Sequence, residues 1–246
     1  MLFQFEIGNV LTNARGEKKN LKRKPVSVSM EEVVKTAFYG KDDTELEARI
    51  GTMHGNTFHA GIDAHTFDAI NDLLCSYGGW ATRSETSRHD FFLGDRRLTS
   101  SPDMAKPICI KKIKLAAFAE PILLKNPTSS DRPPAVRVST AREIVCDADL
   151  NAAFTSATFV RVKETLSWQT SSGFSYELSR VWQGTSLSVA MKKRHEGDPR
   201  FEFEIELVDR SYLQTKGYAY VTRSLLLKMK DVMAAVEDRK GRRSID

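Results

Sequence analysis

In the stretch Phe201-Glu202-Phe203-Glu204-Ile205-Glu206-Leu207 every second residue is a glutamate and the residues between are all apolar. Side chains of a strand alternate between its two faces, so Glu202, Glu204 and Glu206 project together from one side. At about 3.4 Å rise per residue, neighbouring carboxylates on that face stand roughly 7 Å apart. At an effective dielectric near 20 they repel by roughly 2 kcal/mol per pair. Three in a row must therefore be well solvated or must face cations. Taken alone, the segment reads as a half-exposed strand with a solvated polar face.

Other segments repeat the theme with different charge. Glu45, Glu47 and Arg49 share a face of Glu45-Leu46-Glu47-Ala48-Arg49-Ile50-Gly51. In the run 159–168, Arg161, Lys163, Thr165 and Ser167 share one face, with Val160, Val162, Leu166 and Trp168 on the other. Ser175, Glu177 and Ser179 alternate with Tyr176 and Leu178, and Arg137, Ser139 and Glu143 alternate with Val136, Val138 and Ile144. The run 108–115 is basic and apolar, but its adjacent Lys111 and Lys112 blur which face is which. Several strands thus carry a face of charge or hydroxyl, acidic on some and basic on others. A closed antiparallel barrel suits this pattern, with charged faces lining a wet channel and apolar faces covered from outside by amphipathic helices. The expected class is mainly β (α+β), an eight-stranded antiparallel barrel forming a tunnel. Acidic strands suit a divalent ion such as Mg²⁺ or Mn²⁺, which prefers carboxylate oxygen, and basic strands suit phosphate. A polyphosphate carrying its metal uses both.

Along the chain, the run Lys18-Lys19-Asn20-Leu21-Lys22-Arg23-Lys24 marks residues 1–28 as a basic flexible segment, import-signal-like or a nonspecific phosphate-binding arm. Residues 29–246 are expected to form a single catalytic domain. Ser29-Met30-Glu31-Glu32 is a capping box that opens a helix running through Phe38. Strand-like segments follow around 44–51, 56–60, 80–88, 90–99, 107–115, 134–145, 157–168, 173–182, 186–192 and 200–209. Helical periodicity marks 64–77 and 220–239. Of the 246 residues 41% are hydrophobic, and no apolar run is long enough to span a membrane. Cys75, Cys109 and Cys146 are odd in number and without a CxxC, which argues against a disulfide framework or a zinc site. None is followed by a Gly-rich segment and Arg, which argues against a cysteine-phosphatase mechanism. The five histidines show no metal-ligand spacing, and the net charge of +5 is compatible with an anionic ligand.

Two acidic ExE-type strands, one near each end of the chain, with a basic RxK strand and an ExS strand between them, resemble the triphosphate tunnel metalloenzymes. More narrowly, residues 43–209 look like the RNA triphosphatases of fungal, protozoan and viral mRNA capping. The resemblance implies an mRNA 5'-triphosphatase that removes the γ-phosphate of triphosphate-ended RNA, with a metal-dependent NTPase side activity. By that likeness Glu45, Glu47 and Glu206 coordinate Mg²⁺ or Mn²⁺, and Glu202 and Glu204 are tunnel-lining acids. Arg161 and Lys163 contact phosphate, Glu177 and Ser179 support the basic residues, and Glu143, on a strand with Arg137 and Ser139, positions the attacking water. Arg97 matches a further phosphate-binding arginine, and Lys111 or Lys112 a lysine. The family's second inward arginine on the RxK strand is Thr165 here, with Arg49 or Lys112 as substitutes. The implied partner is nascent RNA. No KxDG nucleotidyl-transfer motif occurs, so a separate capping guanylyltransferase is expected. A monomer is expected, without membrane association, nuclear if cellular and cytoplasmic or virion-associated if viral. Alternatives are a tunnel hydrolase of small triphosphates and a non-catalytic RNA-binding barrel. The latter calls for aromatic residues interleaved with the basic ones.

Overall fold

The computed structural model describes residues 28–122, 134–147 and 154–243, with side chains in the last helix described as far as 237. The basic run at 18–24 lies outside the described residues. The first strand, β1 (Thr44–His54), uses both edges: β6 (Pro134–Val145) pairs along one, and β9 (Arg200–Leu207) pairs along the other at Glu47–Arg49. From β6 the sheet continues through β5 (Ile108–Pro121), β4 (Arg96–Ser100), β3 (Thr82–Leu93), β7 (Phe159–Gln169) and β8 (Phe174–Gly184) back to β9. Every pairing is antiparallel, and the β1–β9 contact closes an eight-stranded barrel. Closure leaves no exposed edge around most of the ring.

Strand β2 (Thr57–Ala60) lies outside the ring, paired with the far end of β1. Gly51 allows that approach: a Cβ there would stand 2.1 Å from the His59 carbonyl oxygen.

The apolar faces point outward and are covered. Leu46, Ala48 and Ile50 of β1, Val136 and Val138 of β6, Trp168 of β7, Leu178 of β8 and Phe203 and Ile205 of β9 form one buried cluster with the helices. Helix α1 (Met30–Phe38) contributes Val33, Val34 and Ala37, and its capping box is formed as the sequence predicts: Ser29 Oγ accepts from the Glu32 amide, and the Glu32 carboxylate accepts from the Ser29 amide at 2.7 Å. Helix α2 (Ala64–Ser76) adds Phe67, Ile70 and Leu74. The last helix, α5 (Tyr218–Arg243), adds Val221, Leu225, Met229, Val232 and Val236 along one stripe.

Two expectations are corrected. Residues 186–192 were expected to form a strand. They belong instead to helix α3 (Leu187–Glu196). Ser186 caps its N-terminus, Gly197 at φ 76° closes its C-terminus, and Lys193, Arg194 and His195 fill the last turn. The break expected near residue 89 falls instead at Gly94 (φ 60°), which turns the β3–β4 hairpin.

The short helix α4 (Arg210–Lys216) anchors the helical layer through its first residue. Arg210 donates to the carbonyl oxygens of Thr44 at 2.8 Å, Ala37 at 3.1 Å and Gly40 at 3.0 Å, satisfying the C-terminal end of α1 and the start of β1 together. Replacing Arg210 by alanine is expected to lower unfolding stability by about 2 kcal/mol. A urea denaturation midpoint equal to that of the parent protein would count against this role.

Candidate active site in the tunnel

The lumen is built by register. Residues directly opposed on neighbouring strands share a face. Glu47 opposes Glu206 and Arg49 opposes Glu204 across β1–β9. Glu206, Glu204 and Glu202 in turn oppose Ser175, Glu177 and Ser179 across β8–β9. Glu47 and Arg49 oppose Ser139 and Arg137 of β6, and Glu143 opposes Lys112 of β5. The face with Arg97 therefore carries Lys112 and Glu143, while Arg96 opposes Lys111 outside the bore, where Lys111 pairs with Asp95 at 2.6 Å. Register thus selects Lys112 over Lys111, and Arg97 over its neighbour Arg96, for the lumen face. Of the side chains named from the sequence as site residues, all but Lys111 face the lumen.

Opposite charges interlock across it. Arg49 pairs with Glu47 at 2.9 Å and with Glu204 at 2.8 Å. Lys163, almost wholly buried, pairs with Glu204 at 3.1 Å and lies 3.8 Å from Glu177. Arg161 grips both oxygens of Glu202 at 2.8 and 2.9 Å. Lys112 Nζ is in contact with Glu45 and lies 3.8 Å from both Glu47 and Glu143, and Arg97 reaches Glu143 at 3.2 Å. Ser139 donates to Glu47 at 2.8 Å. Thr165, where the resemblance calls for an arginine, instead shares a hydrogen bond of 2.9 Å with Ser179. The substitutes named for that arginine, Arg49 and Lys112, are both in the lumen and both already paired to carboxylates.

The acids divide by how well they are compensated. Burial opposes ionisation of Glu47 and Glu204, but Arg49 acts on both, with Lys112 beside Glu47 and Lys163 beside Glu204, and holds them below the usual carboxylate range. Burial pushes Glu45 up to about 7 against the pull of Lys112. Burial and the neighbouring Glu204 push Glu177 to about 7. Glu206 is the extreme. Burial, then the charges of Glu177, Glu204, Glu45 and Glu47, push it to about 8, and it has no ion pair among the described residues.

Glu45, Glu47 and Glu206 offer the hard oxygen donors that Mg²⁺ or Mn²⁺ prefers, and the crowding of carboxylates around Glu206 is what a divalent cation relieves. Among the described residues no three acidic, histidine or cysteine side chains already stand as a finished ion cage. The cationic heads of Lys112 and Arg49 lie against Glu45 and Glu47 instead.

Two lumen residues escaped sequence reasoning. Asp90, opposing Arg161, is fully buried and accepts from Thr99 Oγ1 at 2.8 Å. Arg88, opposing Lys163, lies 3.5 Å from Asp90. Their strand hides its alternation, since the polar His89 falls on the outer face and the apolar Phe92 on the inner one. Trp168, Tyr176 and Phe203 point away from the bore into the outer core, so the strands richest in charge present no aromatic platform to the lumen.

Fold and lumen together define a class: a closed β-tunnel whose interior is a mosaic of paired carboxylates and guanidinium or ammonium groups. No protein-family model matches this chain, and no curated protein matches it in sequence. Among solved structures, the S. pombe RNA triphosphatase Pct1 superposes with a TM-score of 0.62 at 15% identity, over 86% of this chain and 94% of Pct1. The mimivirus capping-enzyme RNA triphosphatase domain superposes with a TM-score of 0.54 at 13% identity, over 85% of this chain and 95% of that domain. The chain shares the tunnel fold of these proteins.

The raised Glu206 has a measurable consequence. An unperturbed glutamate titrates near 4.3. The folded, metal-free protein therefore binds the Glu206 proton more tightly than the unfolded chain does. The stability this confers is complete below the unfolded value and is lost as pH rises through about 8. Glu206→Gln, which stays neutral, is expected to raise the melting temperature in chelator far more at pH 8.5 than at pH 5. An equal shift at both pH values refutes the assignment.

Proposed function

We propose that the chain is a divalent-metal-dependent RNA 5'-triphosphatase that converts a triphosphate RNA end to a diphosphate end and inorganic phosphate. The observation that carries this reading is the meeting, in one enclosed bore, of Glu45, Glu47 and Glu206 with Arg161, Lys163 and Arg97, drawn from four strands far apart in sequence. Acids or bases alone would suit a metal or an anion. The two together suit a polyphosphate and its cation.

Hydrolysis of a γ-phosphate passes through a loose transition state, so catalysis is mostly positioning and charge neutralisation. Glu45, Glu47 and Glu206 are the residues that would hold Mg²⁺ or Mn²⁺. A bound ion would supply charge withdrawal from the γ-phosphate oxygens. Arg161, Lys163 and Arg97 neutralise the remaining phosphate oxygens. Glu143, fixed by Arg97, aligns a water on the side of the γ-phosphorus opposite the bridging oxygen and takes up its proton. The bond from the γ-phosphorus to the bridging oxygen breaks, and that oxygen leaves with the β-phosphate. Glu202 and Glu204 hold Arg161, Arg49 and Lys163 in place, and Glu177 and Ser179 brace the wall behind them. Arg137 supplies a further cation near Glu47. The likeness to capping triphosphatases favours nascent mRNA as substrate, acting ahead of a separate guanylyltransferase.

The deciding assay is phosphate release from triphosphate-ended RNA with and without Mn²⁺ or Mg²⁺. Glu47→Ala and Glu206→Ala are each expected to lower kcat by about a hundredfold or more with the fold retained. Tripolyphosphate hydrolysed orders of magnitude faster than RNA in magnesium would replace RNA by a small triphosphate as the substrate. Metal-independent RNA binding without phosphate release would leave a binding barrel.

A further inference from the structure

We infer that Arg88 is a phosphate-binding cation of the β3 wall, held in readiness by Asp90 and Thr99, and this rests on the reading of the lumen as a polyphosphate site. Arg88 directly opposes Lys163, which places it on the lumen face beside two cations already assigned to phosphate. Its charge is felt at Glu177, two strands away.

What sets it apart is its pairing. Arg161 and Arg97 each have a terminal nitrogen hydrogen-bonded to a carboxylate, and Arg49 spends its terminal nitrogen on two. Arg88 approaches a carboxylate only through Nε, at 3.5 Å from Asp90 Oδ2, and both that Nε and that Oδ2 lack a hydrogen-bond partner among the described residues. No carboxylate among the described residues takes its terminal nitrogens. Asp90 itself is fixed: it has no exposed surface, and Thr99 on the adjacent strand donates to its other oxygen. The carboxylate thus steers the guanidinium from the side and leaves its forked end open, while the Arg88 side chain remains one-third exposed.

A guanidinium fork matches two oxygens of one phosphate. For Arg161 to bind phosphate it must first release Glu202, whereas Arg88 breaks no ion pair of its terminal nitrogens. Two strand positions away, Thr86 faces Thr165 and only hydroxyls line the wall. Arg88 therefore supplies, from β3, a cation that β7 lacks at Thr165.

The test is calorimetric binding of inorganic tripolyphosphate to the full chain in chelator, alongside steady-state phosphate release from triphosphate-ended RNA with Mn²⁺. Arg88→Ala is expected to weaken tripolyphosphate binding by about ten- to a hundredfold and to raise KM more than it lowers kcat, with an unchanged melting temperature. Arg88→Lys, which keeps the charge but not the fork, recovers part of the affinity and separates a lost contact from a lost fold. Asp90→Asn raises KM without abolishing turnover. Wild-type affinity in Arg88→Ala overturns the inference and leaves the triphosphatase reading standing. A parent protein that binds tripolyphosphate through Arg88 but releases no phosphate from RNA overturns the triphosphatase reading and leaves the inference standing. A parent protein that binds no tripolyphosphate in chelator and releases no phosphate from RNA with Mn²⁺ overturns both.

Discussion

The interaction on which the molecule depends is the pairing of buried carboxylates with cations from neighbouring strands. Glu204 is nearly inaccessible and would be prohibitive alone, since an unpaired buried charge costs several kcal/mol. It is tolerable because Lys163 on β7 and Arg49 on β1 reach it from either side. Lys163 reaches Glu204 across the continuous run β7, β8 and β9, but the Arg49 contact forms only when β1 has closed onto β9. The lumen's electrostatics and the barrel's topology are therefore one constraint: an open sheet would leave Arg49 and Glu204 without each other. Hydrophobic burial outside the barrel does the bulk of the folding work. The charged lattice inside selects the closed form over flatter arrangements of the same strands.

The outer layer follows from that inversion. A barrel that keeps its charges inside must present apolar strand faces outward, and an uncovered apolar barrel would aggregate. Helices α1, α2 and α5 cover β1, β6, β8 and β9, and Arg210 ties the end of α1 to the beginning of β1. The strands bearing Glu47 and Glu206 are thus backed by helices from outside. By contrast, the first half of β3, from Thr82 to Thr86, is exposed along its length.

The closed barrel was legible in the sequence because alternation on five strands was clean. A period of two, with charge on one face, survives in one dimension: Glu202, Glu204 and Glu206 need no coordinates to be seen as a row. What was not legible depended on three-dimensional choices. Adjacent lysines 111 and 112 cannot both face inward, and only the pairing of Lys112 with Glu143 decides which does. A register shift between Lys114 and Ala116 then changes which residues of β5 face in. The segment 186–192 has a short alternating pattern, yet its capping residues Ser186 and Gly197 were the better guide, because a capped ten-residue helix outweighs three alternating apolar residues. Arg88 and Asp90 were hidden because β3 places a histidine outside and a phenylalanine inside, which breaks the pattern that revealed the other strands.

The same lattice shapes how a ligand enters. In the metal-free lumen almost every cation is engaged: Lys112 with Glu45, Arg161 with Glu202, Lys163 with Glu204. Breaking a buried pair by removing one partner typically costs about 3–5 kcal/mol. A polyphosphate alone, drawing Lys112 onto an oxygen, would strip Glu45 and Glu47 of positive charge beside the already crowded Glu206. A divalent ion alone would compete with Lys112 and Arg49 for the same carboxylates. On the proposed reading, the two arriving together would each relieve what the other uncovers: phosphate would take the cations, and the ion the carboxylates they leave. Affinity for the pair would then exceed what either component shows separately, and the ion-paired interior is the source of that coupling. By linkage, the factor by which metal tightens polyphosphate binding equals the factor by which polyphosphate tightens metal binding. A lumen lined by acids or by bases alone has no such exchange to make.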